Sequence, residues 1–119
     1  MADLSHAEQA DIMATAAALA DAARVATLLH FRSAGLTADN KETSHFDPVT
    51  VADRLSEERM RAILTQRRPA DGILGEERAA KPGSSGLTWV IDPIDGTRGY
   101  LAGTPTWGVL IAVADAQGP

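Results

Sequence analysis

Trp89-Val90-Ile91-Asp92-Pro93-Ile94-Asp95-Gly96-Thr97 changes character halfway along. Trp89 to Ile91 has the β-branched and aromatic composition of a buried strand, whereas Asp, Pro and Gly are depleted from strand interiors. The stretch therefore predicts a short strand that leaves the core at Ile91 and enters a rigid turn. Pro93 fixes its own φ there, and Asp92 and Asp95 converge on one point. Gly96 and Thr97 would open a short helix whose first N–H groups can meet an anion. Carboxylates beside an anion-binding turn suit a hard divalent cation and phosphoryl chemistry. Taken alone, the same residues also read as a turn closed by Asx hydrogen bonds.

Working outward, Ile73-Leu74 between Gly72 and Gly75 predicts a second short strand, Arg78 to Gly86 a loop, and Trp107 to Ala114 the longest strand. Two helices come first. In Ala10 to Leu29, Ile12, Ala16, Leu19, Ala20, Ala23 and Ala26 recur with helical spacing, and the helix is expected to stop near Ser33 to Gly35. Asp11, Asp21 and Arg24 interrupt this apolar run and Asp3 and Glu8 precede it, so neither a membrane span nor a signal peptide is expected. Thr37 to His45 is polar and reads as a short hairpin or a mobile loop. Thr50 with Asp53 predicts a capping box opening a second helix that runs to about Arg68, before Pro69. On that helix Leu55, Ala62 and Ile63 are assigned to the apolar face, and Arg54, Glu57, Glu58, Arg61 and Arg67 to water.

With 119 residues the chain is one domain at most, and 16 acidic against 11 basic side chains give a net charge of -5. That balance argues against nucleic acid or an anionic membrane as the main partner, so a phosphate-bearing ligand must be met locally, by a metal or by backbone amides. The absence of Cys excludes a disulfide framework, a thiol nucleophile and a Cys-ligated zinc site, and suits a reducing cytosol, hence a cytoplasmic location.

Two further acidic pieces stand at predicted element ends: Gly75-Glu76-Glu77 after the Ile73-Leu74 strand, and Asp47-Pro48-Val49-Thr50-Val51-Ala52-Asp53 before the second helix. Each alone has a plain reading, a solvated pair or residues capping a helix. Together they require a counter-charge, since two carboxylates about 5 Å apart at an effective dielectric of about 20 repel by roughly 3 kcal/mol. With the Trp89 to Thr97 stretch, these motifs resemble the inositol monophosphatase-like family of magnesium-dependent phosphatases. Gly96-Thr97-Arg98-Gly99-Tyr100-Leu101-Ala102-Gly103, with Trp107-Gly108, is most similar to the histidinol-phosphate phosphatase branch.

The resemblance implies an α/β (α+β) fold, the N-terminal part of a layered α-β-α-β-α sandwich with two helices followed by a mostly antiparallel sheet. It implies a phosphomonoesterase for a small phosphorylated metabolite, histidinol phosphate first and inositol 1-phosphate or a nucleotide 3'-phosphate as alternatives. Two or more Mg2+ ions are implied, with Mn2+ as a substitute. Glu76, Asp92, the Ile94 carbonyl and Asp95 would be ligands, and Glu76 would also serve the chemistry. Thr97, paired through its hydroxyl with Asp47, would orient water for in-line attack on phosphorus. The amides of Gly96 and Thr97 would hold a phosphate oxygen. Arg98 is left between a substrate contact and a buttress of the loop, and a homodimer of the intact protein stays open. His6, His30 and His45 have no metal-ligand spacing and read as surface or loop residues, while Trp89 and Trp107 read as core. Members of the family are longer, so the chain is expected to be an N-terminal fragment lacking a C-terminal half, inactive alone, with a non-catalytic cation-binding module as the rival reading.

Overall fold

Ser5 and Thr50 start the two long helices by the same device. In the computed structural model, which describes residues 4–32, 38–40, 48–105, 107–116 and 118, the element order is α1 (His6–His30), β1 (Ala38–Asn40), β2 (Pro48–Thr50), α2 (Val51–Arg67), β3 (Gly72–Leu74), β4 (Thr88–Asp95), α3 (Thr97–Ala102) and β5 (Gly108–Ala114). Ser5 Oγ accepts the Glu8 N–H at 3.1 Å and the Glu8 carboxylate returns to the Ser5 N–H, a capping box that starts α1 four residues before Ala10. Thr50 Oγ1 accepts the Asp53 N–H at 3.3 Å while Asp53 Oδ2 accepts the Thr50 N–H at 2.8 Å, so the capping box expected from these two residues is present. Such caps each contribute about 1 kcal/mol.

α1 lies on α2 and on one face of the sheet. Its composition and length would suit a bilayer, but Ile12, Thr15, Leu19, Ala23, Ala26 and Thr27 are buried inside the protein. The small Ala side chains let the helices approach closely, although Ala20 is exposed. On α2 the buried face steps by four through Ala52, Ser56, Met60 and Leu64, so Ala62, expected inside, is exposed. Glu57, expected in water, is fully buried beside that row. The core is closed by Ile73, Leu87, Trp89 and Ile91 from the sheet and its approach.

The three-stranded sheet has the order β3-β4-β5. β3 is parallel to β4, from Gly72 opposite Thr88 to Leu74 opposite Val90. The longer β4-β5 pairing is antiparallel, from Thr88 opposite Ala114 to Asp95 opposite Gly108. The turn expected after Ile91 is therefore not a turn: β4 continues through Asp92, Pro93 and Ile94 to Asp95. Its pairing with β5 resolves the conflict with strand propensity, because Pro93 falls in the stretch between Asp92 and Asp95 where the ladder shifts register and a missing N–H costs least. β1, inside the polar stretch read as a hairpin or loop, pairs antiparallel with β2, which lies beyond that stretch, where no strand is expected; His45 and Asp47 lie outside the described residues.

Buried Asp71 ties these layers together. It accepts hydrogen bonds from Arg68 Nε at 2.7 Å, Ser85 Oγ at 2.6 Å and Trp89 Nε1 at 2.9 Å. Arg68 in turn reaches Asp11 of α1 at 2.9 Å. Burial pushes the Asp71 carboxyl up, but the hydrogen bonds from Arg68, Ser85 and Trp89, with the Arg68 charge, outweigh it and hold the group below its ordinary value. A depressed folded-state pKa gives stability that is fully present above the unfolded value of about 3.9 and lost as pH falls through the folded one. Urea unfolding should therefore show a constant Asp71 contribution from pH 7 to 5 and its loss below about pH 4. Asp71→Asn should be less stable at pH 7 and fall less steeply in acid; parallel acid limbs for parent and variant would contradict the assignment.

Candidate functional site

Asp92 and Asp95 are three residues apart, a spacing that puts side chains on opposite faces of a regular strand. The burial of β4 shows how this is avoided. Trp89, Ile91 and Pro93 point into the core and Val90 and Asp92 away from it, but at Ile94 the alternation slips: Ile94 is buried and Asp95 exposed. The slip coincides with the register shift against β5, where Asp92 opposes Leu110 and Asp95 opposes Gly108, three steps against two. An extra residue of this kind is a β-bulge, and it returns both carboxylates to the side of the sheet away from the core. β3 brings a third carboxylate to the same end. Leu74, the last residue of β3, is opposite Val90; Glu76 follows two residues later in the loop beyond β3, and Asp92 two residues later on β4.

Gly96 follows with φ 83° and ψ 43°, a left-handed conformation that only Gly adopts without cost, and it turns the chain into α3. Thr97, the first residue of α3, has its Oγ1 3.1 Å from Asp53 Oδ1 and 3.2 Å from the Ile94 carbonyl oxygen. A hydroxyl carries one proton, so it donates to one of these acceptors at a time. Asp47, the partner expected for the Thr97 hydroxyl, lies outside the described residues; among the described residues the carboxylate on that hydroxyl is Asp53. Asp53 does two things at once, since Oδ2 caps α2 through Thr50 and Oδ1 faces Thr97. Sequence reading gives it a cap and a place in the Asp47 to Asp53 acidic piece, but no bond to Thr97.

An aromatic group supports α3 from behind. Phe31, Tyr100 and Trp107 pack pairwise with ring centroids 5.0 to 5.4 Å apart, Tyr100 and Trp107 edge to face. The Tyr100 hydroxyl donates to the Thr27 carbonyl at 2.7 Å. Burial, with the Asp53 charge added, pushes its pKa up to about 12, so it stays a neutral donor. Trp107, expected within a strand, precedes β5 and is half-buried in this group. The sequence signal for this support is the aromatic content of Tyr100 and Trp107 flanking the Gly103 turn.

Among the described residues no three acidic or imidazole side chains stand close enough to form a ready cage for a metal ion. The donor set nevertheless fits magnesium. Glu76, Asp92, Asp95 and the Ile94 carbonyl offer hard oxygens only, and Mg2+ keeps several waters and takes one or two carboxylates with substrate phosphate rather than an all-protein cage. The two histidines among the described residues, His6 and His30, lie at opposite ends of α1. Arg98, on α3, is exposed beside the Gly96 turn. Glu57 is the residue that sequence reading missed: its carboxylate accepts the N–H groups of Glu76, Glu77 and Arg78.

Residues 8–119 match the inositol monophosphatase family. Histidinol-phosphatase from Streptomyces coelicolor is 41% identical over 107 residues, 90% of this chain and 39% of that protein. Inositol-1-monophosphatase from Mycobacterium bovis is 46% identical over 76 residues, 59% of this chain and 26% of that protein. The solved structure of extragenic suppressor protein suhB from Bartonella henselae superposes with a TM-score of 0.80 at 28% identity, covering 87% of this chain and 40% of that one. The chain thus spans about two-fifths of the length of the histidinol-phosphatase and of that solved chain. As the match runs through both long helices, the bulged strand and the sheet, the chain belongs to the inositol monophosphatase family.

Proposed function

We propose that residues 1–119 form the N-terminal portion of a magnesium-dependent phosphomonoesterase domain that hydrolyses a small phosphorylated metabolite, histidinol phosphate, in the cytoplasm. The observation that carries this reading is the Asp53-Thr97 hydrogen bond at the end of the strand that bears Asp92 and Asp95. Thr97 Oγ1, with its proton directed to Asp53, is left with a lone pair to accept a hydrogen bond from water and so aim that water's oxygen at phosphorus. Glu76, Asp92, Asp95 and the Ile94 carbonyl would hold magnesium, which supplies charge neutralisation at the phosphoryl oxygens and a lowered pKa for water. The amides of Gly96 and Thr97 hold a phosphate oxygen, and Arg98 contacts the substrate beyond it.

Histidinol phosphate is favoured by the 41% identity that extends over 90% of the chain. Inositol 1-phosphate is the second reading, favoured by the higher identity of 46% over a shorter stretch. Two chimeras test them: residues 1–119 joined to the remaining part of the Streptomyces coelicolor histidinol-phosphatase, and the same residues joined to that of the Mycobacterium bovis inositol-1-monophosphatase. The first should release phosphate from histidinol phosphate with Mg2+ and stop with EDTA, and should be the more active of the two. Greater activity of the second on inositol 1-phosphate would favour the other substrate. Metal-independent turnover, or none in either, would overturn the phosphatase reading.

A further inference from the structure

We infer that Glu57 is a positioning residue for this site, fixing the loop that presents Glu76; the inference rests on the reading of Glu76 as a magnesium ligand. The Glu57 side chain is fully buried. An ionised carboxylate survives burial only when paired and hydrogen-bonded. Oε1 accepts the N–H groups of Glu76 at 2.8 Å and Glu77 at 2.9 Å, and Oε2 accepts the Arg78 N–H at 2.9 Å and Arg61 Nε at 3.0 Å. A carboxylate has about four lone-pair sites, so this one is saturated.

Three consecutive amides aimed at one anion make a nest, an anion-binding concavity of the backbone. The loop after β3 is built of bends rather than a helix or strand, and the Glu57 carboxylate gives it a template. Gly75 completes the fit, because a Cβ there would overlap the Glu57 carboxylate. Arg61 closes the arrangement from outside, its Nη2 donating to the Arg78 carbonyl at 3.1 Å. Asp53 and Glu57 are one turn apart on the buried side of α2, so a single helix face holds Thr97 through one acid and the Glu76 loop through the next.

The test uses the chain with Glu57→Gln, with Gly75→Ala, which displaces the carboxylate without removing it, and with Leu64→Ala as a core-destabilised control on the same helix. Amide hydrogen exchange at residues 76–78 reports the loop, and Mn2+ titration reports the site. Gln would turn an N–H2 toward amide donors, so Glu57→Gln should expose the three amides to exchange and weaken Mn2+ binding by about tenfold to a hundredfold. Gly75→Ala should reproduce both changes, whereas Leu64→Ala, measured where it is folded, should show neither. Parental protection of the amides in both Glu57→Gln and Gly75→Ala, or a loosened loop with parental Mn2+ affinity, would overturn the inference. Failure of the parent to bind Mn2+ would instead sink the reading of Glu76 as a ligand, and the exchange result would then decide alone whether Glu57 fixes the loop.

Discussion

Asp92→Asn, made in the Streptomyces chimera, is expected to lower magnesium-dependent kcat/KM by more than about a hundredfold. Loss of groups that merely support a ligand costs about tenfold to a hundredfold, and an amide in place of a direct carboxylate ligand to a hard cation costs more. Asp95→Asn and Glu76→Gln should follow, while Glu77→Gln and His45→Ala should have small effects. Stability should move the other way. Without metal, Asp92 is one of the negative charges that β4 and the loop after β3 bring to this end of the sheet, and neutralising it lowers their mutual repulsion. A melting temperature of Asp92→Asn at or above that of the parent, measured in EDTA, would separate ligand loss from misfolding. Near-parental kcat/KM would sink the assignment of Asp92 to the metal.

Trp89→Ala is expected to cost about 3–5 kcal/mol, the usual penalty for emptying a large aromatic site. Trp89 is 1% exposed at the centre of the core. Its Nε1 is also one of the donors that hold Asp71 ionised at the junction of helices and sheet. Against a total stability of about 5–15 kcal/mol, this change alone can unfold the chain. Trp89→Phe keeps most of the apolar contact and removes only the donor, so it should cost about 1–3 kcal/mol. Urea unfolding of both variants measures the difference. Near-parental stability of Trp89→Phe would show that the indole N–H contributes nothing beyond packing.

What sequence reading found and missed follows the range of the interactions. The Thr50-Asp53 cap, the α1 stripe and the strands around Ile73 and Trp89 rest on neighbours within one helical turn or on side-chain periodicity, and these are written locally. Asp92 to Asp95 misled because Asp and Pro weigh against strand, and only pairing with Leu110 and Gly108, some fifteen residues away, overrides that preference. Glu57 misled for the same reason. Its pattern with Arg61 at i+4 is that of a solvated helix pair, and nothing local announces three amides arriving from residues 76–78. Asp53 was legible as a cap and illegible as the partner of Thr97, because one oxygen acts within α2 and the other across the fold.

The bulge in β4 makes the length of its segment matter more than the identity of its middle residues. In a period-two ribbon a one-residue insertion works like a frameshift in space: every side chain beyond it changes sides. An even gap between the two acids would have reached one face with no irregularity, at a Cα separation of about 7 Å. The odd gap with its extra residue carries the second acid further along, to the doorstep of α3 and the Thr97 hydroxyl. Exchanging Pro93 or Ile94 for other residues alters packing, but deleting either would restore the simple alternation, leaving Asp95 on the Asp92 side of the sheet and drawing it and the start of α3 back by one residue. The count of residues between the two acids, more than the identity of the two in the middle, therefore sets where Asp95 stands relative to α3.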